Sequence, residues 1–209
     1  MDKSESIHEK PLFPKREGFR LIFIIAILLM AAGTVLAQTR GSEDYNIEAA
    51  FLSNFGKFVQ WPQNSFASQS APIIIGVYGE DPFHDSLKDI VRSRTINGHP
   101  VIVQPVPFNK LQYCQVLFIC PSERKNLPDI IRKLNGACVL TVTENINPFQ
   151  SGVMINFVRK GNEVRFEIND AAARRVGLKI SSKLLSLATK TTISRETPKQ
   201  QALLCDRSP

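Results

Sequence analysis

Ile73-Ile74-Ile75-Gly76-Val77-Tyr78 is a continuous apolar run in the first half of the chain. A strand of this composition is buried on both faces, as the strands of a parallel sheet are. Shorter apolar runs follow at Val101–Val103, Val116–Ile119 and Val139–Val142. Helical patterns lie between several of these runs. The spacing therefore predicts an α/β fold with a mostly parallel central sheet and helices on both faces.

An antiparallel hairpin is expected to close this sheet. Val153–Val158 and Glu163–Ile168 are strand-like segments on either side of Lys160-Gly161-Asn162. A short Gly- and Asn-containing turn between two such segments is typical of a hairpin. The 172 residues that follow Ala37 are the size of one domain, so a single domain is predicted.

A helix is expected before the first strand, because apolar residues recur there at spacings of four and three. Glu43 and Asp44 place negative charge at its start. Pro62 disfavours helical geometry in Trp61, so the helix is predicted to end near Gln60. The inner face is predicted to consist of Ile47, Phe51, Phe55 and Phe58.

The N-terminal region has the parts of a secretory signal peptide. Basic residues precede an apolar run from Leu21 to Ala37, which ends in Val35-Leu36-Ala37. Cleavage after Ala37 would release Gln38–Pro209 outside the cytoplasm, with no stable membrane insertion afterwards. The alternative is an uncleaved anchor, for which a run of about 17 residues is at the short limit.

The predicted organisation has four parts. Residues 1–37 form the signal peptide with a long charged leader, and residues 38–43 form a polar lead-in. Residues 44–189 form the α/β domain, and residues 190–209 form a polar, disordered tail.

The net charge of +7 does not indicate a nucleic-acid-binding protein. Lys and Arg are spread along the chain and do not cluster with aromatic residues. The charge supports only a mild attraction to an acidic partner.

The cysteines do not form a redox or zinc motif, since no Cys-x-x-Cys spacing occurs. Export permits disulfides, and a Cys114–Cys138 bridge is one candidate. The alternative is that the cysteines are small buried hydrophobes. The four are Cys114, Cys120, Cys138 and Cys205.

No catalytic constellation is found in the sequence. His84 and His99 are too few for a metal site, and neither a nucleophile elbow nor a phosphate-binding glycine motif is present. We therefore expect no metal, no cofactor and no enzymatic activity.

The loop after the first strand is a candidate ligand pocket. Gly79, Glu80 and Asp81 follow the carboxyl end of a predicted parallel strand, where α/β sheets place ligands. Arg174 and Arg175 could add an anion-binding charge. The alternative is an ordinary strand-to-helix turn and a solvated charged helix face.

Two further groups of residues are candidates for partner binding. Phe58 and Trp61 lie at the end of the aromatic helix, and tryptophan is a frequent interface anchor, although a lone tryptophan also often packs at the rim of a core. Glu163 and Arg165 share one face of a strand with Glu167. Those three can form a salt-bridged outer face, an acid/base site or a binding stripe.

Taken together and in order, several segments resemble the YfiR-like family of periplasmic repressors. The resemblance covers about residues 44–189. The segments that carry it are Phe55–Pro62, Ile75–Phe83, Cys114–Ile119, Val139–Val142, Gly152–Phe157, Val164–Asn169 and Gly177–Leu185.

The resemblance implies a periplasmic α/β homodimer that regulates rather than catalyses. Its best-understood type restrains an inner-membrane diguanylate cyclase, and so cyclic-di-GMP signalling, by docking to the cyclase's periplasmic region. The hairpin strand Val153–Val158 lacks the cysteines of that type. Other members accompany sensor kinases, so the alternative is a periplasmic sensor of a small anion or nucleotide that acts with a histidine kinase or another receptor.

Overall fold

The structure is a computed structural model that describes Gly41 and residues 43–192. The chain divides into two units, Met1–Ser42 and Glu43–Pro209, and the fold described here belongs to the second. The predicted signal peptide, most of the lead-in and the tail from residue 193 lie outside the described residues. Among the residues described, no helix is long and apolar enough to cross a bilayer.

An eight-stranded sheet forms the centre of the domain, with the strand order β10-β8-β7-β6-β5-β2-β4-β3. A separate pair, β1 and β9, is antiparallel. The strands are β1 (Val59–Gln60), β2 (Ile73–Tyr78), β3 (Thr95–Ile96), β4 (His99–Pro105), β5 (Val116–Ile119), β6 (Leu140–Glu144), β7 (Ile155–Lys160), β8 (Glu163–Asn169), β9 (Lys179–Ile180) and β10 (Lys190–Thr192).

The sheet is mostly parallel, as predicted. Strands β4, β2, β5, β6 and β7 run in one direction, with β2 in register with β5 from Ile75↔Val116 onward. The β7–β8 hairpin is antiparallel and turns through Gly161, whose φ of 64° suits glycine at the first position of a two-residue turn. Strand β3 pairs antiparallel with β4 at the other side of the sheet.

The start of the predicted disordered tail is ordered. Lys190–Thr192 forms β10, which pairs in parallel with the outer side of β8. Thr189 also donates its backbone N–H to the carbonyl of Phe166 at 2.9 Å. The polar composition of this segment suits an edge strand, since its side chains do not need to be buried.

Helices cover both faces of the sheet, and each face has its own apolar cluster. The main cluster lies under α1, α2, α5 and α6, and includes Leu52, Leu87, Phe118 and Leu184. The second cluster lies under α3 and includes Leu117, Ile130 and Leu134. The helices are α1 (43–55), α2 (Ser86–Val91), α3 (Leu127–Lys133), α4 (Pro148–Ser151), α5 (Asp170–Arg175) and α6 (Ser182–Leu187).

Helix α1 differs from its prediction in length and in its inner face. It ends at residue 55, where a 3-10 turn, Gly56–Phe58, leads into β1. Val59 pairs with Ile180 of β9 and is therefore extended, so the helical geometry ends before Pro62. Its fully buried residues are Ala49, Leu52 and Phe55, whereas Ile47 is 44% exposed.

Helix α1 runs from the carboxyl end of the parallel strands to their amino end. Tyr45, in its first turns, contacts Glu144 at the end of β6. At the other end, Gly56 lies beside Ile73, the first residue of β2. The helix between its two ends is about 20 Å long. Each group of candidate site residues described below lies at the carboxyl end or at the amino end of the parallel strands.

Candidate functional site

A buried acidic cluster lies at the carboxyl end of the parallel strands. It consists of Tyr45 and Glu48 on α1 and Glu144 at the end of β6. The Tyr45 hydroxyl donates to Oε1 of Glu144 at 2.9 Å, and Asn145 Nδ2 donates to Oε2 at 3.0 Å. Glu48 is 6% exposed, and its Oε2 makes no hydrogen bond within the described part of the chain.

Burial decides the protonation of this cluster. Desolvation, followed by repulsion from Glu144, raises the pKa of Glu48 to about 8. Desolvation also raises the pKa of Glu144, although the hydrogen bond from Tyr45 opposes the shift. The pKa of Tyr45 is raised by burial and by the Glu144 charge. Glu48 is therefore mainly neutral at pH 7 and becomes charged as the pH passes 8.

Sequence reasoning did not identify this cluster, although two signals were present. Glu48 precedes the buried Ala49 in α1, so it lies beside the inner face of the helix. Glu144 ends a strand in which every residue is buried. A carboxylate at the last position of such a strand marks the end where α/β folds bind ligands.

The predicted pocket after the first strand is filled by the protein itself. Ser122 Oγ accepts the Glu80 backbone N–H at 3.0 Å, and Asp81 accepts the Phe83 N–H at 2.8 Å. A Cβ on Gly79, whose φ is +107°, would lie 2.5 Å from Ser122 Oγ. Gly79 is therefore needed for a close turn, which corresponds to the ordinary strand-to-helix alternative.

Arg174 and Arg175 do not join that loop. They lie on α5, which follows β8 and begins at the amino end of the parallel strands, where Asn169 bonds to Met154. Gly79 follows β2 at the carboxyl end. Arg174 Nε donates to Asp170 at 2.5 Å. The structure thus places the two halves of the predicted anion pocket at opposite ends of the sheet.

Glu163 and Arg165 form a bonded pair on the outer face of the hairpin. Arg165 donates from Nε and Nη2 to Glu163 Oε2, at 3.0 and 2.6 Å. Val164 and Phe166 face the core on the other side of the strand. For Glu163 and Arg165 this arrangement corresponds to the salt-bridged outer face, one of the three alternatives from the sequence. A surface pair of this kind contributes about 0–1 kcal/mol.

Phe58 and Trp61 lie at the amino end of the strands, away from the hairpin pair. Both are partly buried against the main cluster. The Trp61 ring meets Phe66 edge-on at 6.2 Å between centroids, and its buried Nε1 makes no hydrogen bond to any described residue. Lys183 Nζ of α6 lies 5.9 Å from the centre of the Phe58 ring.

The predicted Cys114–Cys138 bridge is not present. Cys114 donates its thiol to the Leu111 carbonyl at 3.0 Å in the second cluster, whereas Cys138 belongs to the main cluster on the other face of the sheet. Cys138 is nevertheless disulfide-bonded, and its partner is neither Cys114 nor Cys120. Burial, with the nearby Asp81 charge, raises the pKa of the Cys120 thiol to about 12, so this thiol is unreactive.

No metal centre is formed by the residues that the structure describes. Three or more His, Cys, Asp or Glu side chains do not converge anywhere within residues 43–192. The acidic cluster has two carboxylates and a phenol, which offer fewer oxygen ligands than the roughly six to eight of a calcium site.

Two solved structures are similar to part of this chain. One is a conserved domain protein from Vibrio cholerae O1 biovar El Tor N16961, with 14% identity and a TM-score of 0.41. The other is an ABC domain in complex with L-Trp from Streptococcus pneumoniae, with 11% identity and the same TM-score. In each case the match covers 57% of this chain and 55% of the other, so this chain spans about half the length of each.

The family assignment comes from the sequence profile. The YfiR/HmsC-like profile matches residues 45–189. The match begins in α1, contains the nine strands from β1 to β9, and ends just before β10. It therefore covers the two apolar clusters and the acidic cluster, and this chain belongs to the YfiR/HmsC-like family.

Proposed function

We propose that this chain is a periplasmic regulatory protein that docks to the periplasmic part of an inner-membrane signalling protein and represses a diguanylate cyclase. The family match over residues 45–189 carries the proposal, because this family consists of periplasmic regulators of cyclic-di-GMP signalling. The proposal includes export with cleavage after Ala37, a homodimer, and repression through binding that favours the inactive state of the cyclase.

The surface of α6 beside Phe58 supports a docking role. Lys183 stacks over the Phe58 ring, and Leu187 follows Lys183 by one turn of the same helix. Leu187 is 56% exposed, more than any other large hydrophobic described. The Phe58 ring and the exposed leucine give this surface an apolar centre, as the buried core of a protein interface has. We call Phe58, Lys183 and Leu187 the α6 surface.

Binding to the periplasmic domains of the membrane signalling proteins encoded beside this chain tests the proposal. Leu187→Asp should weaken binding to a cyclase at least tenfold by titration calorimetry, because it places a charge in an apolar contact. Tyr113→Asp is the matched control. Tyr113 is also exposed, at 54%, but lies on the 3-10 turn over the second cluster.

Equal losses in the two variants would exclude the α6 surface as the docking face. Failure of every such periplasmic domain to bind the wild-type protein would overturn the proposed function, and exclusive binding to a histidine kinase would overturn the cyclase as its target. Trp61→Ala extends the test, with far-UV dichroism as a check on folding, because Trp61 also packs against Phe66.

The hairpin pair Glu163–Arg165 is a second proposed contact, about the length of α1 away from the α6 surface. Arg165→Ala should weaken cyclase binding only if the partner spans both ends of the sheet. N-terminal sequencing of the protein recovered from the periplasm tests the cleavage, and analytical ultracentrifugation tests the homodimer.

A further inference from the structure

An apolar groove lies at the amino end of the parallel strands, between α3 and α5. It has a volume of about 160 Å³. It is lined by Leu134, Ala137 and Val139 of the second cluster, by Met154 and Val176 of the main cluster, and by Arg175. A groove of this composition suits an apolar occupant with a negative charge near Arg175.

Cys138 lies between two residues that line this groove, and it is disulfide-bonded. It stands between Ala137 and Val139, and its Sγ is 3.0 Å from the carbonyl oxygen of Val176. Strands β5 and β6 are parallel, so Cys120, which follows β5, lies at the opposite end of the sheet from Cys138, which precedes β6. Cys114 belongs to the second cluster, on the other face of the sheet. The remaining cysteine of this chain is Cys205.

The chain leaves the described residues on the same side of the molecule as Cys138. Strand β10 runs parallel to β8, so Thr192 is next to Asn169 at the amino end of the parallel strands. Three inter-strand steps of about 4.8 Å separate β10 from β6. The thirteen residues from Thr192 to Cys205 can span about 40 Å, which is more than enough.

The composition of this segment matches the groove. Residues 194–201 are polar apart from Pro198, and the apolar tripeptide Ala202-Leu203-Leu204 directly precedes Cys205. Asp206 follows the cysteine and can pair with Arg175, which lines the groove. The segment thus offers apolar side chains for the apolar lining, a cysteine for Cys138 and an acid for Arg175.

We propose that Cys205 is the disulfide partner of Cys138 and that Ala202-Leu203-Leu204 occupies the groove. The two thiols form one S–S bond and give up two protons and two electrons. The disulfide of an oxidising thiol exchange protein, or oxidised glutathione in the test tube, accepts them and leaves as two thiols. The C-terminal segment is then a covalently held part of the domain.

Peptide mapping of the full-length oxidised monomer tests the pairing. After alkylation and trypsin digestion without reductant, peptides 134–159 and 200–207 should appear as one linked species and separate on reduction. Alkylated Cys138, a Cys138 link to a second copy, or a mixed disulfide with another protein would each overturn the pairing.

Occupation of the groove is tested in glutathione redox buffers. Leu203→Ser/Leu204→Ser should lower the effective concentration of the Cys138–Cys205 pair at least tenfold, because the apolar contact no longer holds the thiols together. Gln200→Ser/Gln201→Ser, in the same segment, should leave it unchanged. Equal values for wild type and both variants would show that the segment is tethered without entering the groove.

Discussion

The hydroxyl of Tyr45 donates to Oε1 of Glu144 at 2.9 Å and joins two residues that are 99 positions apart. One is in the first turns of α1 and the other is the last residue of β6. The bond fixes α1 against the carboxyl end of the sheet. It also offsets part of the desolvation cost of the Glu144 carboxylate, which is 7% exposed.

Tyr45→Phe should therefore destabilise the protein by about 1.5–3 kcal/mol at pH 7, the range for a hydrogen bond to a charged group. Urea unfolding measures the loss. Tyr113→Phe, at an exposed tyrosine, is the control and should change the free energy of unfolding by less than about 0.5 kcal/mol. A similar small change in both variants would show that the Tyr45–Glu144 bond does not stabilise the fold.

Glu48 should make the protein less stable as the pH rises from 5 to 8. Its pKa is about 8 in the folded protein against its usual 4.5, so in this window the native state holds a proton that the unfolded state has released. The slope is at most about 1.4 kcal/mol per pH unit. Glu48→Gln should abolish this slope and be more stable than wild type at pH 8.

Thermal unfolding at pH 5, 6, 7 and 8 measures this effect. Glu80→Gln, at an exposed carboxylate in the Gly79 loop, is the control and should follow the wild-type curve. Parallel curves for Glu48→Gln and wild type would contradict the assignment of the titration to Glu48.

Gly76→Ala should destabilise the protein through overpacking between β2 and the second cluster. A Cβ at this position would lie 2.9 Å from Val106 Cγ2 and 3.0 Å from Cys114 Sγ. The expected cost is about 1–3 kcal/mol. Gly76→Ala/Val106→Ala should lose less than the sum of the single variants in urea unfolding, and strict additivity would show that the contact with Val106 is not the cause.

Asn169→Ala should lower the free energy of unfolding by about 2–3 kcal/mol, because this one side chain makes hydrogen bonds to backbone groups of two separate segments. Its Oδ1 accepts the Ala172 N–H at 3.1 Å and caps α5, and its Nδ2 donates to the Pro148 carbonyl at 2.9 Å. Asn147→Ala, which removes the cap of the four-residue helix α4, is the control and should cost about 1 kcal/mol or less. Denaturant unfolding of both compares them, and equal losses would contradict the double role of Asn169.

The sheet was predictable because its signals are local. The run Ile73–Tyr78 forms β2, in which four residues are buried and two are half-buried, and the turn at Gly161 sets the hairpin. Helix α1 was predicted too long because Val59 pairs with Ile180, which is distant in sequence and carries no signal in the helical spacing.

The candidate sites were harder to predict, because their geometry depends on which end of the sheet each segment reaches. Gly79 and Arg174 are each plausible ligand-binding residues in the sequence, but the reversal of direction at β8 separates them. The Tyr45–Glu144 contact depends on α1 crossing the whole sheet, which no local spacing indicates.

The short strand β10 has a consequence for handling this protein. Its three residues cover the backbone of β8 from Glu167 to Asn169. A chain ended at Thr189, where the family match stops, would leave that row of N–H and C=O groups open to pairing with other molecules. Chains that retain Lys190–Thr192 should resist such edge-to-edge aggregation, because these three residues occupy the open edge of β8.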